Sequence, residues 1–301
     1  MIMNNIYAQK VDLLLRIIPI IFQEKSFAIH GGTAINLFEK AMLRYSVDID
    51  ITYVPLEDRK TSIQNINQKL KVIAERIERT LKGGRVSHRE DICKLLCEYR
   101  GKQVKIEVNQ TKRGIICGEV VSKPLCKKAQ EEFQLYCEAN IVPYQQLYGG
   151  KVAAALSRQH PRDLFDIKYM DATLSDIKEG IIFSLLGSDR PISESIAPNL
   201  VDQRQALKNQ FAGMTELEFT YSDFEQTRDE LIHEINQFFS IDDKSFLLSF
   251  ESGNPDWTLG YETFKDYPSV QWKLFNIEKL RKSNPRKFDM EIERLRLVLG
   301  Q

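Results

Sequence analysis

The sequence predicts an α+β protein, with a β-rich part over residues 1–143 and a helical part over residues 144–301. Three observations lead there. Short β-branched and apolar runs, bounded by glycine and proline, cluster in the first part. From Tyr144 onward apolar residues recur at helical spacing instead. Pro191, Pro198, Pro255, Pro268 and Pro285 then divide that second part into separate helices. A chain of 301 residues is long enough for two domains.

The elements follow in order. Residues 5–24 read as an amphipathic helix, and 27–30 as a short apolar strand stopped by Gly31-Gly32. A helix is expected over 33–42, its N-terminus facing whatever the glycines approach. Residues 47–54 form a strand closed by Pro55, and 56–81 a long helix stopped by Gly83-Gly84. The runs 92–99 and 103–109 are a hairpin around Arg100-Gly101-Lys102. Further strands are expected within 114–121 and 133–142.

Composition narrows the function classes. Hydrophobic content of 43% and charged content of 28% are those of an ordinary globular protein. No run reaches the roughly 18 apolar residues of a membrane span. The apolar stretch 13–21 lacks a basic lead-in and a small-residue cleavage site, so a cytoplasmic protein with no membrane partner is expected. The cysteines at 93, 97, 117, 126 and 137 show no metal-ligand spacing. If their segment is a strand, Cys93 and Cys97 share one face and read as core thiols. Zero formal net charge hides an asymmetry. Residues 82–128 carry twelve Lys/Arg against five Asp/Glu, which suits a polyanion; 216–243 carry nine acidic residues against one arginine, which suits a basic partner or a solvated helix.

The most informative residues are Asp48 and Asp50. Alternation along a strand puts them on one face, with Val47, Ile49 and Ile51 on the other. Two close carboxylates repel unless a cation lies between them, and Mg²⁺ favours one or two carboxylates plus substrate phosphates. Ser46 shares the face of Asp48, near phosphate or metal. In the later hairpin Lys105 and Glu107 share one face, opposite Val104, Ile106 and Val108. Asp163 and Asp166 lie on one helix face, though Arg162-Asp163 after Pro161 is also ordinary helix-start chemistry. His30 and His160 read as packing or turn residues, and Trp257 and Trp272 as packing aromatics. Arg44 and Tyr45 read as exposed loop residues within reach of a nucleotide.

A strand, Gly31-Gly32-Thr33, a helix, then Asp48-Ile49-Asp50 on a strand resembles the DNA polymerase β nucleotidyltransferase superfamily. That resemblance implies a nucleotidyltransferase fold with a mixed sheet flanked by helices, and makes Glu107 the natural third carboxylate. Lys151 after Gly149-Gly150, Arg162-Asp163-Leu164-Phe165-Asp166, and the tail from Tyr267-Pro268 to Asn276 look like the AbiEii/AbiGii toxin family. Gly-Gly-Thr stands where many superfamily members have Gly-Ser, so Thr33 must supply any hydroxyl needed there.

The resemblance implies transfer of NMP from an NTP to an acceptor hydroxyl, with two Mg²⁺ ions (Mn²⁺ as the alternative) on Asp48, Asp50 and Glu107. Gly31, Gly32, Thr33 and Ser46 would cradle the triphosphate, with Lys151 as a cationic contact. Asp163 and Asp166, with Arg162, would orient Lys151, contact the incoming nucleotide or assist proton transfer, with Asp163 ranked first as the catalytic member and Asp166 as a nucleotide-binding one. The helical domain would thus bring Lys151 and Asp163 to the cleft. The expected setting is a toxin–antitoxin or phage-defence toxin with a cognate antitoxin, acting on RNA such as tRNA. Two competitors remain: transfer onto a small antibiotic-type molecule, and a non-catalytic nucleotide- or partner-binding module.

Overall fold

The computed structural model describes residues 6–301. Two compact units divide the chain: Met1–Pro143 with Phe211–Glu218, and Tyr144–Gln210 with Phe219–Gln301. The return of residues 211–218 to the first unit has no counterpart in the sequence pattern.

In the first unit the elements run α1 (Ile6–Ile21), β1 (Phe27–His30), α2 (Gly31–Ala34, continued by a π-turn over Ile35–Glu39), β2 (Asp48–Tyr53), α3 (Arg59–Thr80), β3 (Arg85–Arg89), β4 (Lys94–Tyr99), β5 (Lys102–Val108), β6 (Val121–Pro124), α4 (Lys127–Phe133) and β7 (Glu138–Ile141). The strands form one seven-stranded sheet, ordered β3-β4-β5-β2-β1-β7-β6. β2 pairs with β5, and β1 with β7, in parallel; the other pairs are antiparallel. The sheet is therefore mixed and the fold class α+β, as the sequence predicts.

Helices α1 and α3 explain why one sheet face is dry. Val11, Leu14, Leu15 and Ile18 of α1, and Ile66, Leu70, Ile73 and Ile77 of α3, recur at helical spacing and are buried. α1 packs on β5 and β7, and α3 on β3, β4 and α1. Ile49 and Ile51 of β2, Leu95 and Cys97 of β4, and Val104, Ile106 and Val108 of β5 are the buried alternates that meet them. Asn5, the first residue of the expected helix, lies outside the described residues. α3 begins where Asp58 accepts a hydrogen bond from the Thr61 amide at 3.0 Å.

Several strand expectations need correction. Of the stretch 114–121 only Val121 is extended, as the first residue of β6, because Gly114 (φ 88°), Cys117 (φ 58°) and Gly118 (φ 136°) hold left-handed backbone that a strand excludes. Of 133–142 only Glu138–Ile141 is extended; Phe133 ends α4 and Gln134 follows at φ 49°. β3 was hidden because Arg85, Ser87 and Arg89 present a polar edge strand with little apolar alternation. The hairpin is tighter than expected, with Arg100 (φ 48°) and Gly101 (φ 72°) forming a two-residue turn between Tyr99 and Lys102. Cys93 sits before β4 at φ 49°, so it does not share a strand face with Cys97, although both thiols are buried and free. Burial pushes the Cys97 thiol up to about 12.

The second unit is helical: α5 (Tyr144–Arg158), α6 (Pro161–Lys168), α7 (Lys178–Leu186), α8 (Ile192–Ile196), α9 (Arg204–Ala206), α10 (Tyr221–Phe238), α11 (Ile241–Glu251), α12 (Pro268–Ser283) and α13 (Pro285–Leu299). Pro268 and Pro285 occupy first-turn positions, where a missing N–H costs nothing. Thr220/Asp223 and Ser240/Asp243 close capping boxes at α10 and α11. Trp257 packs against Phe246 and Phe250. Trp272 does not join a core: it is 45% exposed and stacks on the exposed Phe275.

Gly149-Gly150 does not precede a helix opening at Lys151; both glycines lie inside α5. The reason is a backbone crossing. A Cβ at Gly149 would lie 2.1 Å from the Gly180 carbonyl carbon of α7, whereas one at Gly150 would meet nothing within 4 Å. Gly149→Ala is expected to cost at least about 1–3 kcal/mol through overpacking. Gly150→Ala should stabilise by up to about 1 kcal/mol through helix propensity. Denaturant midpoints of the two variants check this; equal midpoints would contradict the crossing.

Candidate active site

The face of the sheet turned away from α1 and α3 carries the carboxylates. Parallel pairing of β2 with β5 sets Asp48 beside Lys105 and Asp50 beside Glu107. Antiparallel pairing of β4 with β5 adds Lys94 beside Glu107. Asp50, Glu107 and Lys94 thus form one row across three strands, and Asp48 with Lys105 the start of the next. Strand pairing brings the three expected carboxylates to one face, in adjacent rows. None is deeply buried: the Asp48 and Glu107 side chains are 33% and 40% exposed.

The glycine turn lies directly against this row. His30, the last residue of β1, pairs with Asp50, and the chain then turns into α2. Gly31 has φ +71°, and a Cβ there would stand 3.3 Å from Asp50 Oδ2. Both the backbone and the close approach therefore require glycine. At Gly32 a Cβ would lie 2.6 Å from an Arg44 guanidinium nitrogen and 3.0 Å from Ser46 Oγ. Arg44 is buried rather than exposed as its loop position suggested. Asn36 accepts from the Arg44 amide at 3.2 Å, and the guanidinium donates to the Tyr45 carbonyl at 2.9 Å. The 40–47 loop is further tied by the Thr215 hydroxyl donating to Leu43 at 2.7 Å and the Tyr45 amide donating to Met214 at 2.7 Å.

Thr33 is placed differently from its expected role. Its side chain is buried; the hydroxyl donates to the Asp48 carbonyl and lies 2.9 Å from Ser46 Oγ. That hydroxyl fixes the start of β2 and so aims Asp48. Only the backbone of the turn is left to meet a phosphate.

In the second unit Lys151, Asp163 and Asp166 come together, but with each other. Lys151 Nζ lies 2.9 Å from Asp163 Oδ1 and 2.8 Å from Asp166 Oδ2, and all three side chains are almost fully buried. Arg158, at the end of α5, grips Asp163 through Nε at 2.5 Å and a terminal nitrogen at 3.0 Å. Burial raises the Asp163 pKa, but the Lys151 charge and the Arg158 bonds outweigh it and hold the carboxyl well below the usual range. His160 caps α6: its Nδ1 accepts from the Arg162 amide at 3.1 Å and its Nε2 lies 3.0 Å from Gln210 Oε1. Asp163 is both a first-turn residue of α6 and a member of this network, so the two readings of that motif coexist.

A family profile described as "Nucleotidyl transferase AbiEii toxin, Type IV TA system" matches residues 12–276. The chain belongs to the AbiEii family of nucleotidyltransferase toxins. It is an enzyme of the nucleotidyl-transfer class, in a family of toxin–antitoxin systems. Its fold is similar to that of MenT4, a nucleotidyltransferase toxin from Mycobacterium tuberculosis. The two are 12% identical, with a TM-score of 0.61 over 90% of this chain and 93% of that one. No curated protein matches the sequence. No described helix is long and apolar enough to cross a membrane.

AbiEii chemistry calls for a nucleoside triphosphate and a divalent metal, and the donor set of this chain suits one. Among the described residues no three His, Cys, Asp or Glu side chains close into a metal cage. Asp48, Asp50 and Glu107 instead offer hard oxygen donors along an open sheet face. Mg²⁺ tolerates that arrangement, because water and phosphate oxygens complete its shell. Two groups beside this site are only partly legible in the sequence. Arg44 reads there as an exposed loop residue within reach of a nucleotide, and nothing local marks its burial against Gly32. Lys105 was visible as a face-mate of Glu107, but its place beside Asp48 depends on a pairing between strands far apart in sequence.

Proposed function

We propose that this AbiEii protein uses Mg²⁺ to move NMP from an NTP onto a hydroxyl of an RNA acceptor such as tRNA, and that a cognate antitoxin restrains it. The observation that carries the reading is the in-register pair Asp50–Glu107 beside Asp48, with Gly31 pressed against Asp50. The acceptor oxygen attacks the α-phosphorus in line, the bond to the β-phosphate bridging oxygen breaks, and pyrophosphate leaves. Bound magnesium would supply Lewis acidity at both oxygens. Asp48 and Asp50 would hold one cation, Glu107 with one of those aspartates would help to hold a second, and Glu107 would take up the hydroxyl proton. The Gly31-Gly32 amides would meet the phosphates, and Arg44, close behind Gly32, would add positive charge. Lys151, Asp163, Asp166 and Arg158 act as a positioning network that fixes α5 against α6.

An RNA acceptor is favoured by the surface next to the carboxylates. Arg85 and Arg89 of β3 pair with Glu98 and Lys94 of β4, and so share the face of Lys94, Lys105 and the three acids. Clustered Lys and Arg on one face neutralise phosphates. The test offers labelled NTPs with total RNA, protein and aminoglycosides in parallel. Label is expected on RNA and absent with Asp48→Ala or Asp50→Ala. Label on an aminoglycoside alone would replace the acceptor, and no transfer with any NTP would overturn the reading.

A further inference from the structure

Lys105 has no part in the transfer step above, yet its position is fixed twice. It is the β5 residue in register with Asp48, and it stands two residues before Glu107 on the same face. Its Nζ lies 3.7 Å from Asp48 Oδ1 and 3.5 Å from Glu107 Oε2. Lys94 Nζ meets the same Glu107 oxygen at 3.0 Å. Asp48 and Glu107 belong to different strands, so the Lys105 ammonium spans the ground that a cation shared by them must take.

Resting on the proposed metal-dependent transfer, we infer that Lys105 is a built-in counter-ion that competes with a divalent cation for Asp48 and Glu107, so that metal binds well only together with a triphosphate. A bare cation must displace the ammonium and then sit beside it, charge against charge. A cation arriving with a nucleotide brings phosphate oxygens that take over the ammonium. The flexible lysine stem permits that exchange; its side chain is 35% exposed and not locked in a core. Metal and nucleotide affinities are then coupled, and coupling is reciprocal, with typical factors of about 5–150. An ordinary exposed ion pair would contribute little and leave metal affinity unchanged.

The test measures Mn²⁺ binding to the full chain by electron paramagnetic resonance, with and without a non-hydrolysable NTP. Lys105→Gln keeps the stem and removes the charge. Without nucleotide it is expected to bind Mn²⁺ at least about fivefold more tightly than the wild type. With nucleotide the advantage should vanish or reverse. Lys105→Arg, which keeps the charge, should bind bare Mn²⁺ as weakly as the wild type. Equal bare-metal affinity in wild type and Lys105→Gln overturns the inference. Asp48→Asn and Asp50→Asn separate the two claims. If Mn²⁺ binding depends on these aspartates but not on Lys105, only the counter-ion role fails. If it survives their loss, the metal lies elsewhere and the site reading itself fails.

Discussion

Asp48→Asn and Asp50→Asn are each expected to lower kcat/KM for nucleotidyl transfer by at least about 10²–10³-fold, the range for loss of one preorganised electrostatic group. Folding should be nearly untouched, within about 0.5 kcal/mol, because Asp48 lies on an open face and its ion pair with Lys105 is long and solvent-screened. Asn keeps the shape of each side chain and one oxygen, but removes the charge a divalent cation requires. Transfer assays with thermal melts of the same preparations check both halves. A variant that melts normally and transfers normally would remove that aspartate from the mechanism. Asp50 carries the sharper expectation, since Gly31 approaches its Oδ2 and no side chain could stand between turn and carboxylate.

Asp163→Asn should act in the opposite way, on folding first. Its carboxylate is buried between Lys151 and Arg158, and removing one partner of a buried ion pair typically costs about 3–5 kcal/mol. Lys151→Met should cost a similar amount, and the double variant less than the sum, because each single change strands the other's charge. A pH dependence follows from the depressed Asp163 pKa. The ion pair stabilises the fold above the ordinary aspartate value of 3.8, and that contribution disappears as pH falls from there toward the lower folded value. Melting temperatures of the wild type should therefore drop on the acid side, and Asp163→Asn should flatten that limb. Parallel acid limbs in both proteins would remove Asp163 from the charge network.

The two kinds of residue differ in how far the sequence reveals them. Asp48 and Asp50 are legible because strand alternation is local: apolar neighbours on both sides fix which face the acids share. The α+β class and the mixed sheet followed from similarly local runs together with the family resemblance. Glu107 needed the order of motifs, since nothing local marks it. Lys105 beside Asp48, and Arg44 against Gly32, depend on chain segments that meet only after folding. Lys151 illustrates the limit most clearly. Its residue type and the Asp163/Asp166 spacing are visible in the sequence, but the burial of all three, with Arg158 closing the network, is not, because it depends on how α5 and α6 pack. The misread strand at 114–121 has a simpler origin: positive φ at Cys117 leaves no trace in an apolar, glycine-flanked run.

Diffraction from crystals soaked with Mn²⁺ and a non-hydrolysable NTP, read at a wavelength where manganese scatters anomalously, addresses the site most directly. Anomalous peaks are expected within coordination distance of Asp48 and Asp50, with the triphosphate lying along the Gly31-Gly32 turn. Manganese and triphosphate bound together away from both aspartates, with the glycine turn unoccupied, would contradict the assignment.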